Sequence, residues 1–154
     1  FNTSLSWKGF DLSAIFAYSI GGYIYNRDIT MILHNGSLEG RDWSTEILKR
    51  WTPDNRNTDV PALSTTTNNW NSASTRFLQN NSYMRLKNLT LSYNLPKQWI
   101  SKLSLSSVQV YVQGDNLFTI HRNQGLDPEQ GITGITYYRY PAMRTISGGI
   151  NVSF

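Results

Sequence analysis

The sequence contains no cysteine, which removes disulfide frameworks, thiolate metal sites and cysteine nucleophiles together. It also has no run approaching the roughly 20 apolar residues of a membrane-crossing helix. A spanning helix is excluded; a membrane β-barrel is not, because its strands cross as short alternating segments. Acidic residues are fewer than basic ones, 10 against 14, but the net charge of +4 is scattered, with no Lys/Arg run to track a phosphate backbone. Nucleic acid is not an expected partner. The N-terminus lacks a basic region followed by an apolar core. Instead, alternation begins at Phe1 itself, as expected for a piece of something longer.

What is abundant is aromatic and uncharged polar: 13% of the chain is Phe, Trp or Tyr, alongside many Ser, Thr and Asn, a profile suited to strands and turns. Five segments alternate with period two, about 1–8, 11–20, 83–95, 106–118 and 144–154. In the first, Phe1, Thr3, Leu5 and Trp7 oppose Asn2, Ser4, Ser6 and Lys8. The third changes phase, from Met84 and Leu86 to Leu89, Leu91 and Tyr93, so one extra residue near Asn88, a β-bulge, would keep the apolar groups on one side. The fourth sets Val108, Val110 and Val112 against Gln109, Tyr111 and Gln113, and the last sets Ile146, Gly148, Ile150, Val152 and Phe154 against Ser147, Gly149, Asn151 and Ser153.

The connections are unequal. A tight hairpin at Lys8-Gly9-Phe10-Asp11 is followed by a long connection over 21–82, a shorter one after Pro96 and another long loop over about 119–141. Because chain direction reverses at each, both long loops fall at one end of the sheet and both short ones at the other. Short turns on one side and long loops on the other are the asymmetry of outer-membrane barrels. Trp7, Tyr18, Tyr93, Tyr137, Tyr138 and Tyr140 fit interfacial girdles in such a barrel.

Within the long loop, Glu46 to Trp51 suits a helical turn or two stopped by Pro53, and the region around 64–74 reads as solvated loop. His34 and His121 lie in loops without a ligand set, so solvated positions and no metal are expected. Asp54 to Asp59 only faintly resembles a calcium loop, with Arg56 where an oxygen is needed; an Asx-turn after Pro53 fits better. No phosphate loop, nucleophile elbow or committed carboxylate pair is visible, so neither an enzyme nor a cofactor is expected.

Four strings carry a resemblance over essentially the whole chain: Arg50-Trp51-Thr52-Pro53-Asp54-Asn55-Arg56-Asn57-Thr58-Asp59-Val60-Pro61, Tyr83-Met84-Arg85-Leu86-Lys87-Asn88-Leu89-Thr90-Leu91-Ser92-Tyr93, Val110-Tyr111-Val112-Gln113-Gly114-Asp115-Asn116-Leu117-Phe118, and Tyr140-Pro141-Ala142-Met143-Arg144-Thr145-Ile146. In this order they resemble the C-terminal part of SusC-type TonB-dependent outer-membrane transporters. The resemblance implies one C-terminal barrel segment over 1–154, with the plug and N-terminal barrel absent, located in the bacterial outer membrane. It further implies import of a bulky nutrient, glycan or peptide. The implied partners are the remainder of the barrel and plug, a SusD-type surface lipoprotein, TonB through the missing N-terminal part, and the barrel assembly machinery. Phe154, with Val152 and Ile150 in the same phase, looks like the terminal signal that this machinery reads.

On this reading Arg85, Lys87, Gln109, Tyr111 and Gln113 line the lumen, and the loop aromatics have two competing roles. Trp43, Trp51 and Trp70 could pack the loop onto itself, or stack on a sugar. Trp70, flanked by Asn69 and Asn71, is the leading ligand candidate, with Trp43 behind it, while Trp51 suits loop structure. The competing class is a soluble carbohydrate-binding β-sandwich. The two differ in what the apolar strand face meets: lipid in a barrel, a second sheet in a sandwich.

Overall fold

The computed structural model describes residues 1–34, 38, 40–64, 66, 72–123, 125, 127–129, 133–136 and 139–154, the side chain of Leu103 excepted. Its elements in chain order are β1 (Asn2–Trp7), β2 (Phe10–Ser19), β3 (Tyr23–Asn26), α1 (Arg27–Ile32), β4 (Leu78–Asn80), β5 (Tyr83–Asn94), α2 (Lys97–Ile100), β6 (Ser107–His121), β7 (Ile135–Thr136) and β8 (Thr145–Ser153). They divide into two compact units. One comprises Phe1–Gly21, Asn81–Asn123 and Pro141–Phe154; the other comprises Gly22–Asn80 and Gln124–Tyr140.

The first unit is a five-stranded sheet in the order β1-β2-β5-β6-β8, every neighbour antiparallel. Its opening hairpin is tighter than the sequence suggested. Trp7 pairs with Phe10, leaving only Lys8 and Gly9 in the turn. Both have positive φ, 48° and 89°, as a two-residue turn matching the strand twist requires; Gly9 meets that demand without strain, whereas Lys8 does not.

Pairing then fixes the faces. Leu5, Leu12, Leu91, Val112 and Gly148 follow one another across the sheet, as do Trp7, Phe10, Tyr93, Val110 and Ile150. Partners opposite each other share a side, so these rows form one apolar face. Lys87 is skipped in the pairing of β5 with both neighbours, since Ile15 meets Asn88 while Phe16 meets Leu86, and Leu86 meets Phe118 while Asn88 meets Asp115. That irregularity lies beside Asn88 and returns Met84 and Leu86 to the apolar side, opposite Tyr18 and Phe16. On β6 the matching irregularity falls at Asn116, whose φ is 51°. Beyond it β6 continues to His121, past the expected end near Phe118, because Ile120 and His121 still pair with Met84 and Tyr83. His121 is thus a strand residue rather than a loop residue, and is exposed as expected.

Loop geometry follows from the same pairings. The long connections leave from Ser19 and His121, the latter beside Tyr83, whereas the short ones leave from Trp7 and Asn94 at the opposite end of the sheet. The shorter connection after Pro96 is itself helical, as α2 and a 3-10 turn over Ser101–Leu103 that buries Ile100.

The second unit holds a small sheet of order β4-β3-β7, in which β3 runs antiparallel to β4 and parallel to β7. None of its strands exceeds four residues, too short to register as alternation. Asn26 ends β3 and caps α1, its Oδ1 accepting from the Ile29 N–H at 3.1 Å. Ile24, Phe77, Leu33, Ile47 and Val60 supply the apolar core of this unit. The expected helical turns near Glu46 exist as a 3-10 turn over Thr45–Lys49, capped by Ser44 and ended at Arg50.

Candidate functional site

The first unit is inside-out by the standard of a soluble domain. On the apolar face, Leu5 is 66% exposed and Ile150 65%, whereas Arg85 on the opposite face is only 3% exposed. Exposed apolar rows of this extent mark a surface built for a nonaqueous neighbour. Aromatics sit near the ends of the same face: Phe10 stacks on Tyr93 with centroids 4.5 Å apart, beside Trp7, and Phe1 meets Phe16 at 6.2 Å toward the other end, near exposed Tyr18. Tyr140 is 94% exposed, and Tyr137 and Tyr138 lie outside the described residues.

Across the polar face, side chains bond to one another rather than only to solvent. Arg85 Nε donates to Thr119 Oγ1 at 2.9 Å, and Asn88 donates to Asp115 at 2.8 Å. Gln113 Nε2 reaches both oxygens of the same carboxylate at 3.2 Å. A second ladder runs from Asn151 to Gln109 and from Gln109 to Ser92. Arg85, Gln109, Tyr111 and Gln113 therefore share one side of the sheet by register. Lys87 stands at the irregularity, half-buried, where the register of β5 with both neighbours shifts.

Tyr111 has a more specific position. It pairs directly with Gly149, and a Cβ placed on Gly149 would lie 2.8 Å from its hydroxyl and 2.9 to 3.0 Å from two ring carbons. The phenol thus lies over the glycine backbone, a packing that requires glycine and shields an otherwise bare stretch of strand. Ile150 and Val152 belong to β8 on the apolar face, opposite Val110 and Val108, while Phe154 follows the strand and is 92% exposed.

The loop residues divide differently. His34 is not solvated: it is fully buried, because Trp43 packs edge-on against its ring, with centroids 5.1 Å apart at 82°, and the Leu38 N–H donates to its Nδ1. Its Nε2 has no hydrogen-bond partner among the described residues. No group of three or more potential metal ligands is found among those residues. Several polar side chains of segment 50–60 bond to nearby backbone: Asn55 Nδ2 donates to the carbonyls of Lys49 and Arg50, Thr58 Oγ1 to that of Lys49, and Arg56 Nε to that of Pro53. Trp51 is tied in by its backbone N–H, which donates to the Val60 carbonyl at 2.8 Å. That accounts structurally for a string whose Asp and Asn content suggests an ion. Trp70, Asn69 and Asn71 lie outside the described residues.

An open antiparallel sheet with a lipid-type apolar face, an opposed polar face and long loops at one end is a sector of an outer-membrane barrel. No family model matches the chain. Over its whole length, however, it is 34% identical to TonB-dependent receptor P3 and 30% identical to TonB-dependent receptor P26, both of Formosa agariphila. It also superimposes over 99% of its length on structures of the RagAB peptide importer in closed-closed and open-open states, at TM-scores of 0.84 and 0.87 and 34% identity in each. The chain spans 16% of the length of each of these relatives. Along its whole length the chain is thus similar to part of SusC-type TonB-dependent outer-membrane receptors, and its sheet to part of their barrel.

This orientation predicts a labelling pattern. In the assembled parent on intact cells, cysteine introduced at Ala62 or Glu129, both exposed on the long connections, should react with an impermeant maleimide. Cysteine at Gln98, exposed on the short connection, should not. Equal labelling at the two ends would overturn the placement of the long connections on the extracellular side.

Proposed function

We propose that this chain forms one wall of a TonB-dependent importer of a bulky nutrient, with a peptide as the favoured cargo and an oligosaccharide as the second possibility. The observation that carries the reading is the inverted sheet, apolar outward and hydrogen-bonded polar inward, together with likeness to peptide importers along the whole chain. Arg85, Lys87, Gln109, Tyr111 and Gln113 would then border the lumen. Hydrogen bonds from Arg85 to Thr119, from Gln109 to Ser92 and from Gln113 to Asp115 make that wall polar yet stiff, a surface past which hydrated cargo slides.

The remainder of the barrel and the plug complete the pore, and a SusD-type lipoprotein closes over the loops to present cargo. TonB supplies energy through a segment outside this chain. The assembly machinery reads Phe154, Val152 and Ile150 as the closing strand. Trp70, Asn69, Asn71 and Trp43 are the proposed ligand contacts from the loops. No chemical step is assigned to the chain, whose role is passage rather than catalysis. A soluble sandwich is disfavoured because Leu12, Leu91, Val112, Ile146 and Ile150, which it would bury, are 39% to 71% exposed.

The test uses the complete transporter with its lipoprotein in cells. Uptake of a labelled peptide mixture should require both TonB and an energised inner membrane. Binding without TonB-dependent uptake of peptides or oligosaccharides would overturn the reading.

A further inference from the structure

The loop unit contains a hollow of about 410 Å³ lined by Tyr25, Arg27, Thr30, Met31, Ala73 and Ile135. Three elements build most of it: the end of β3 gives Tyr25, α1 gives Arg27, Thr30 and Met31, and β7 gives Ile135. Its walls are held from behind. Tyr25 pairs with Leu78 and Ile135 through the small sheet, and its ring meets the buried Phe77 edge-on, with centroids 6.1 Å apart at 77°. Thr30 is itself buried and its hydroxyl donates to the Arg27 carbonyl at 2.6 Å.

The chemistry of the lining is uneven. Arg27 is exposed and brings a cationic group to the hollow, while Asp28, the acidic residue of the same helical turn, is not among the described residues that line it. Met31, Ala73 and Ile135 contribute apolar surface, and Ile135 is 49% exposed. A guanidinium offers five donors in a planar fork that fits a carboxylate. Methionine adapts to varied apolar shapes. A site of this size holds one apolar side chain with a charged group beside it, at the small end of ligand pockets. Tyr25, Arg27 and Thr30 supply the polar part of the lining.

We propose that this hollow captures a peptide at a carboxylate next to an apolar residue, Arg27 taking the carboxylate and Met31 and Ile135 taking the side chain. The inference rests on the transport reading above and names the feature of the cargo that the loops recognise. The carboxylate can come from a peptide C-terminus or from an acidic side chain, and the test separates the two.

Binding is measured on the whole transporter with its lipoprotein, using three labelled apolar pentapeptides: the free acid, the C-terminal amide, and an amide carrying Glu beside the apolar residue. Loss of one charge-assisted pair should make the amide bind about tenfold more weakly than the free acid. Recovery by the Glu peptide identifies a side-chain carboxylate, and no recovery identifies the C-terminus. In Arg27→Gln the free acid should fall to the level of the amide, and Arg27→Lys should keep part of the difference. Equal binding of all three peptides by the unmodified transporter overturns this site while leaving peptide import standing, and needs no variant to fold. A full difference retained in Arg27→Gln overturns it as well. An acidic oligosaccharide that binds with the same Arg27 dependence while peptides do not overturns the peptide assignment. Failure of the unmodified transporter to bind any peptide in any form removes peptide import itself.

Discussion

Ile150→Arg in the complete barrel is expected to cost about 2 to 4 kcal/mol of folding free energy, and Asn151→Arg on the next residue much less. The two side chains differ only in which way the strand turns them. Ile150 pairs with Val110 in the apolar row and is 65% exposed, so a guanidinium there meets lipid hydrocarbon. Asn151 pairs with Gln109 and donates to its Oε1 at 3.2 Å; its replacement forfeits one hydrogen bond between exposed groups, worth about 1 kcal/mol or less. Urea titration of the barrel refolded into vesicles measures both. Similar losses at the two positions would mean that both faces are packed against protein, as in a sandwich.

That contrast was readable in the sequence because period two is a local property. Val110, Val112, Ile146 and Ile150 announce their face through their immediate neighbours, and the phase change after Leu86 marks the irregularity that pairing places at Lys87. Strand ends were less legible. β6 runs on through Ile120 and His121, where the alternation continues but the polar composition of the following residues suggested a loop.

The loop unit was hidden for a different reason. Its sheet joins Tyr25 to Leu78 on one side and to Ile135 on the other, partners brought together from far apart along the chain by strands of two to four residues. No window of sequence contains such a pairing. The burial of His34 likewise depends on Trp43, and a polar residue in a polar stretch carries no sign of that. Tyr25, Arg27 and Ile135 had no shared motif to flag them as one lining; only the small sheet and α1 assemble them. By contrast, the 50–60 string was conspicuous in sequence, and its Asn55 and Thr58 side chains bond to the neighbouring backbone of Lys49. Conspicuous polar residues here build the loop, and inconspicuous ones shape its hollow.

If the loop unit has its own core, Phe77→Ala should dismantle that unit without unfolding the barrel. Phe77 is 1% exposed, ends the 3-10 turn over Thr75–Phe77 and leads directly into β4, so its ring lies where the turn meets the small sheet. It packs against the Tyr25 ring and lies under the Arg76 guanidinium at 5.6 Å. Truncating a buried phenylalanine generally costs about 3 to 5 kcal/mol, and a sheet of such short strands has few other contacts to absorb the loss. Local opening is then the expected response, since stability is distributed unevenly across a structure. Limited proteolysis of the assembled Phe77→Ala transporter should cut within 22–80 or 124–140, while the heat-resistant migration of the folded barrel persists. Phe77→Leu, which keeps most of the volume, should be cut far less. The hollow beside Tyr25 should fail with the unit, so free-acid and amidated peptides should bind Phe77→Ala equally. Unchanged proteolysis in Phe77→Ala would mean that the loops are held by something other than this core.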